Sequence, residues 1–406
     1  MGDGKWPGFS PTRYPLPMPA LRPDIDPDGL LEYSVVYTDR SLNHMSAVFQ
    51  GVMRDLSADL KAVYHACAVA IIPGSGTSAM EAVVDQLAQG QKCLVIRNGW
   101  FSYRWSQIVE MSRLPESVTV LKAQPQKAQP QKTQPQGEAK TPPFAPFPIE
   151  EATATIRRER PALVFAPHVE TSAGIILPEA YIQALAEATH EVGGLLVIDC
   201  IASGAVWLDM EALGIDVLIS APQKGWSSTP CAGLVMLSEA AAARVEATDS
   251  VSFTLDLKKW RSIMKSYEDG GFAYHATMPT DGLRQFRDTV HEMKAFGLER
   301  AREAQWALGE RVREQLAQAG FPSVAAPGFE APGVVVSYTD HADLQSGKAF
   351  REAGLQIAAG VPLQVDEGAD FRTFRVGLFG LDKLQDVDGA AGRFGQALEQ
   401  VCATLR

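Results

Sequence analysis

Short apolar runs recur along the chain at 93–96, 163–166, 195–198, 217–219 and 234–237, each bounded by polar or turn residues. Runs this short and continuous predict strands buried on both faces, because a half-exposed strand would alternate. Between them the spacing is helical. Residues 78–89 carry Met80, Val84 and Leu87 on one face, and residues 179–191 carry Ile182, Leu185 and Ala186. Strands alternating with helices from about Arg54 to Thr289 predict an α/β fold with a mostly parallel sheet covered on both sides. After Thr289 the pattern changes to long helices over about 290–319, a strand at 334–337, another near 371–376 and a final helix. That is a smaller α+β domain.

Two stretches break this pattern. Residues 1–30 hold Pro7, Pro11, Pro15, Pro17, Pro19, Pro23 and Pro27, which fix the backbone and remove donors, so an extended N-terminal arm is expected. Between 123 and 143 the sequence Ala-Gln-Pro-Gln-Lys occurs twice and decays into Thr-Gln-Pro-Gln. Such a tract has almost nothing to bury and predicts a disordered surface insertion without function. A chain of 406 residues exceeds one ordinary core. The expected division is an arm (1–30), a large domain (31–289) and a small one (290–406).

A hydrophobic fraction of 46% with 21% charged residues is that of a globular chain. The net charge of −11 argues against a general nucleic-acid binder, which needs a basic footprint. Five cysteines without a CxxC pair read as buried thiols in a reducing compartment. No secretory signal opens the chain and no apolar run reaches membrane-spanning length, so a cytoplasmic protein without membrane partners is expected.

Three features carry chemistry. Pro73-Gly74-Ser75-Gly76-Thr77-Ser78 precedes a helix, and small residues before free helix N–H groups suit an anion. Neither GxGxxG nor a P-loop lysine is present, so nucleotide binding is not preferred. Asp199 ends a buried strand, where carboxylates of open α/β sheets face the ligand crevice. Lys224 stands twenty-five residues later, just past another strand, between Gln223 and Gly225-Trp226. Singly, these residues read equally as a helix cap, a salt-bridge partner and a surface charge.

Together they resemble the fold-type I, class V aminotransferases, most closely the alanine–glyoxylate and serine–pyruvate aminotransferase group, from about Tyr33 onward. The resemblance implies a large domain built on a mostly parallel seven-stranded sheet and pyridoxal phosphate held by Lys224 as a Schiff base. It implies that Ser75, Gly76, Thr77 and Gln223 hold the phosphate. Phe101 after Asn98-Gly99, with Trp100 the second choice, would stack on the ring, and Ile201 would press its other face. Thr171 in His168-Val169-Glu170-Thr171-Ser172-Ala173-Gly174 would lie near the ring hydroxyl, and Asp199 would pair with the ring nitrogen. Tyr274 and Thr277 resemble the family segment that crosses to a second subunit, which implies a homodimer with a shared site. Arg375 in Phe374-Arg375-Val376-Gly377 would grip the substrate carboxylate as a two-pronged pair, although alone it reads equally as a surface salt bridge. No metal is implied.

The activity so implied is ping-pong transfer of an amino group from an alanine- or serine-like donor to a glyoxylate- or pyruvate-like 2-oxo acid. A lyase of the same fold and a non-catalytic cofactor-binding protein are the alternatives. A desulfurase needs a cysteine on a late loop, and none occurs between Cys231 and Cys402. The family's glycine/proline-rich opening segment has no counterpart at 31–46, where Tyr37, Arg40 and His44 stand instead.

Overall fold

The computed structural model describes residues 25–27, 29–126 and 141–405. Helix α1 (Ala47–Tyr64) starts on Ser46, whose hydroxyl accepts the Phe49 amide. It buries Phe49, Val52, Met53, Leu56 and Leu60, the three-to-four spacing that gives a helix one apolar side. The main sheet comprises β1 (Ala68–Pro73), β2 (Lys92–Arg97), β3 (Ser117–Lys122), β4 (Leu163–Pro167), β5 (Leu195–Asp199), β6 (Val217–Ser220) and β7 (Ala232–Leu237). Their order is β1-β7-β6-β5-β4-β2-β3. Only β7 runs against its neighbours; the other pairs are parallel. All five expected strands are present. β1 was not expected as a separate strand because its apolar run merges with Ala66 and Cys67, which hides its start.

Helix α2 (Gly76–Leu87) follows β1, and α3 (Trp100–Ser112) follows β2. α2 begins two residues before the expected 78 because Ser75 and Ser78 form a reciprocal capping box. α3 seats Trp105 on the sheet, stacked at 4.5 Å on Phe165. The long helical stretch expected at 290–319 is two helices, Thr280–Phe296 and Leu298–Gln318, meeting at Gly297. The first buries Leu283, Phe286, Val290 and Met293 in the main core, so the pattern change after Thr289 falls inside a single helix.

The C-terminal part carries an antiparallel sheet of β8 (Val334–Tyr338), β9 (Ala358–Ala359) and β10 (Thr373–Gly377), with β10 in the middle. Leu308, Val335, Phe350, Phe374, Phe394 and Leu398 form its core. A third cluster joins the two sheets: Val169 and Ile175, which follow β4, pack with Val334 and Val336 of β8.

Most of the expected arm (1–24 and 28) and the repeat tract at 127–140 lie outside the described residues. The flanks of that insertion are not loose, however. Gln124–Pro125 pairs antiparallel with Phe144–Ala145, Ala123 is buried, and the Tyr338 hydroxyl donates to Pro142 O at 2.7 Å. Phe144 anchors this ladder in the joining core, so residues 123–126 and 142–145 are part of the fold. The five cysteines are unpaired; Cys93 and Cys200 are buried, Cys231 and Cys402 are partly buried, and Cys67 is exposed. Among the described residues no helix is long and apolar enough to cross a membrane and no group of side chains is placed to hold a metal.

Candidate active site

β1, β2, β4, β5 and β6 all end at one edge of the sheet, and most of the candidate residues sit at those strand ends or just after them, while Arg375 comes from β10. After β1 the chain turns through Gly74 into Ser75, the N-cap of α2. A Cβ on Gly76 would lie 2.4 Å from Ile201 Cδ1, so a larger residue there requires the Ile201 side chain to shift. Thr77 Oγ1 accepts a hydrogen bond from Arg104 Nη1 at 2.9 Å.

Asp199 ends β5, beside Ile219 of β6 and Pro167 of β4. It is 8% exposed, and one carboxylate oxygen accepts the Ile201 amide at 2.9 Å. Burial above all, helped by the Glu170 carboxylate, pushes its carboxyl up to about 7; the Ile201 amide and Arg104 oppose that shift. Such a carboxyl gains when a cation is placed against it.

Lys224 follows β6 and is mostly buried. Burial, and then the Arg375 guanidinium, holds its ammonium below the usual lysine range, which favours the free amine. Its Nζ lies 5.0 Å from the Phe379 ring centre. Trp226, its ring tilted against that of Trp207 with centres 4.3 Å apart, anchors the lysine loop in the main core. Ser227 Oγ accepts the Leu381 amide at 2.9 Å, tying that loop to the segment that carries Arg375 and Phe379. The buried side-chain oxygen of Gln223 has no hydrogen-bond partner among the described residues.

Arg375 lies on β10, where its Nε donates to Ala359 O at 2.7 Å. Its guanidinium carbon is 5.5 Å from the Phe101 ring centre, and that of Arg104 is 5.4 Å from the same ring. Phe101, rather than Trp100, is therefore the aromatic shared by the cationic side chains; Trp100 packs on Tyr103.

Glu170 fixes this aromatic. It is fully buried, and its carboxylate accepts the amides of Phe101 (3.2 Å), Ser102 (2.8 Å) and Ser172 (3.1 Å) and the hydroxyls of Ser102 (2.7 Å) and Ser172 (2.8 Å). Three of these donors belong to the first turn of α3, where free amides and the helix dipole stabilise an anion. A Cβ on Gly99 would lie 2.2 Å from Ser172 Oγ and 2.7 Å from Glu170 Cγ, so glycine lets α3 close on this carboxylate. Thr171, between Glu170 and Ser172, is buried. Neighbouring His168 bonds Ser203 at 2.7 Å, and burial, with Arg302 adding to it, drives its imidazole down to about 3, so it is neutral.

The structure thus gathers Ser75, Gly76, Thr77, Phe101, Thr171, Asp199, Ile201, Gln223, Lys224 and Arg375 along this edge. Tyr274 and Thr277 stand apart. Their hydroxyls contact each other at 3.2 Å, Tyr274 is 51% exposed, and its ring packs on His44 at 5.5 Å. No hydrogen bond or ring contact among the described residues joins either to the cluster. The sequence reading did not single out Arg104, although its place three positions after Phe101 on one helix is the signal that would have shown it. Glu170 was seen only as part of a motif.

Residues 31–363 match the Aminotransferase class-V family. A 2-aminoethylphosphonate–pyruvate transaminase of Paraburkholderia xenovorans is 27% identical, over 90% of this chain and 93% of its own length. An alanine–glyoxylate aminotransferase of Oryctolagus cuniculus is 24% identical over 89% of this chain and 88% of its own. Among solved structures, an alanine–glyoxylate aminotransferase of Nostoc sp. shares the fold with a TM-score of 0.73, at 23% identity, covering 90% of this chain and 89% of its own. With a lysine, an acid and an arginine brought to one sheet edge and a family match over most of the sequence, the chain belongs to the class V aminotransferases and is a pyridoxal-phosphate-dependent transaminase.

Proposed function

We propose that the chain moves an amino group between a small amino donor, alanine- or serine-like, and a small 2-oxo acid such as glyoxylate or pyruvate, by a ping-pong route. The observation that carries this reading is the pairing of Lys224 with Arg375. An amine held below its usual range stands within the field of a guanidinium, with Phe101 and Phe379 beside the two cations. The names of the relatives support a small acceptor, since they pair alanine with glyoxylate and 2-aminoethylphosphonate with pyruvate.

The residues present fit the cofactor. The turn at Gly76 lies against Ile201, the Gln223 oxygen has no partner among the described residues, and Asp199 is an acid that a cation would favour. When bound, pyridoxal phosphate supplies an aldehyde that captures the amino group and a ring that withdraws electrons from the α-carbon. In this reading Ser75, Gly76, Thr77 and Gln223 bind the phosphate at the start of α2. Phe101 and Ile201 hold the ring between them, Thr171 meets its hydroxyl, and Asp199 keeps the proton on its nitrogen. Arg375 binds the substrate carboxylate in a planar pair and so orients the α-hydrogen. The Lys224 amine would then take that α-proton as the general base.

We also place Tyr274 and Thr277 at the phosphate of a second subunit, in a cytoplasmic homodimer. The exposed aromatics Phe253, Phe272 and Tyr274 support a partner-facing surface there.

The test is a half-reaction screen. Holoprotein mixed with single amino acids, 2-aminoethylphosphonate included, should convert the cofactor's visible absorbance to that of pyridoxamine phosphate with alanine or serine. Lys224→Ala should lose that absorbance before any donor is added. A variant that keeps it would overturn the assignment of Lys224, and conversion by none of the small donors would overturn the substrate reading.

A further inference from the structure

The phosphate of the cofactor carries a charge of roughly −1.5 to −2 near neutrality, so its site needs positive charge as well as amides. The start of α2 supplies oriented N–H groups and about half an elementary charge. Ser75, Gly76, Thr77 and Gln223 are all neutral. Lys224 is assigned to the aldehyde end and Arg375 to the substrate carboxylate. Arg104 is the side chain that answers this need. Its Nη1 donates to Thr77 Oγ1 at 2.9 Å, in the first turn of α2. Its guanidinium also rests near the Phe101 ring at 5.4 Å, which aims it along the face of α3 toward the turn. It is close enough to Asp199 to favour that carboxylate's charged form. Arg104 therefore spans the edge between the ring-nitrogen partner and the phosphate turn. Its remaining guanidinium N–H groups make no hydrogen bond or ion pair among the described residues, so a fork of donors stays available beside Thr77.

We infer that Arg104 is the cation of the phosphate site, and that its guanidinium completes recognition of the cofactor's phosphate dianion beside Ser75–Thr77. This rests on the reading of that turn as the phosphate cradle. In this arrangement Thr77 accepts from Arg104 and thereby orients the fork, while the amides of α2 meet the phosphate from the other side. An arginine suits the place better than a lysine because two of its N–H groups meet two phosphate oxygens in one plane.

The experiment compares binding of pyridoxal phosphate and of pyridoxal, which lacks the phosphate, to the apoprotein by equilibrium dialysis. For Arg104→Gln, affinity for pyridoxal phosphate should fall about 10–100-fold, the range of a lost charge-assisted bond. Affinity for pyridoxal and the apoprotein's Tm should stay as in the parent. Arg104→Lys should fall between the two. A preference for the phosphate form that survives Arg104→Gln within about twofold overturns the inference but leaves the cradle standing. An equal loss for both ligands also overturns it, because Arg104 would then merely support Phe101. If the parent protein itself shows no preference for the phosphate form, the cradle reading fails instead. A second measurement needs no variant: the 31P signal of the holoprotein should stay that of a dianion across the pH range around 6 where the free phosphate takes up a proton. Ordinary titration there refutes a cationic partner.

Discussion

Asp199 makes the apoprotein's stability depend on pH, and Asp199→Asn should remove that dependence. Its carboxyl is raised to about 7 from an ordinary 3.8, mainly by burial. The raised value means that the folded chain binds a proton more tightly than the unfolded one. Below the unfolded value both states are protonated and nothing is lost. As pH rises from about 4 toward 7 the unfolded state ionises freely while the folded one resists, so stability falls by about 1.4 kcal/mol per unit. Above the folded value the loss levels off at about 4 kcal/mol. Asparagine keeps the oxygen that accepts the Ile201 amide and does not ionise. The two apoproteins should therefore be nearly matched at low pH, with the variant increasingly the more stable as pH rises. Between about pH 5.5 and 8 the gap should widen by about 2 kcal/mol. Urea unfolding of both apoproteins at several pH values, at fixed protein concentration, reads this directly. A gap that stays constant across that range would refute a buried, proton-binding Asp199. With pyridoxal phosphate added the order should reverse at high pH, because a protonated ring nitrogen gives the carboxylate its cation.

Three further outcomes follow from the same contacts. Glu170→Gln turns one carboxylate oxygen into a donor facing the Ser102 or Phe101 amide, so it should cost about 2–4 kcal/mol in urea unfolding; a loss under about 1 kcal/mol would show that α3 does not depend on that charge. Gly76→Ala pushes a methyl into Ile201, and should cost about 1–3 kcal/mol along with a measurable loss of cofactor affinity; unchanged values for both would mean that Ile201 moves freely. Mixing Lys224→Ala with a Tyr274→Phe, Thr277→Val double variant should restore activity through hybrids that contain one intact site; additive low activity would reject a site shared between subunits.

The parts of the site that were legible in the sequence are those tied to strand ends. Asp199 and Lys224 each follow a continuous apolar run, and such runs survive as strands because both faces are covered. The turn proposed for the phosphate was legible as a helix start for a local reason too, since Ser75 and Ser78 cap a helix within four residues. Contacts between elements were not. Arg104 meets Thr77 only because α2 and α3 pack side by side, and nothing in either segment's periodicity records that. The helix break at Gly297 was hidden for the converse reason. Apolar positions continue with helical spacing on both sides of it, and the first helix keeps packing on the main core. Tyr274 and Thr277 belong to an irregular stretch before the helix at Thr280, so neither strand nor helix geometry aims them.

Glu170 shows how geometry and charge are joined in one buried group. An acid with no exposure normally keeps its charge by facing a cation. Here five N–H and O–H donors take that place, three of them from the first turn of α3. The field is therefore left free to act elsewhere. It raises the Asp199 carboxyl and offsets the desolvation of the Arg375 guanidinium. A salt-bridged acid would have its field cancelled close by and would do neither. The same carboxylate sets the height of Phe101 through its amide. A substitution at 170 should consequently move three properties together: the ring platform, the proton affinity of Asp199 and the charge available at Arg375. Glu170→Gln removes the charge but sets an NH2 group against the donors of α3, so the Phe101 platform should shift with it; an Asp199 that titrates lower in that variant shows that the field of Glu170 reaches it, and an unchanged Asp199 refutes that.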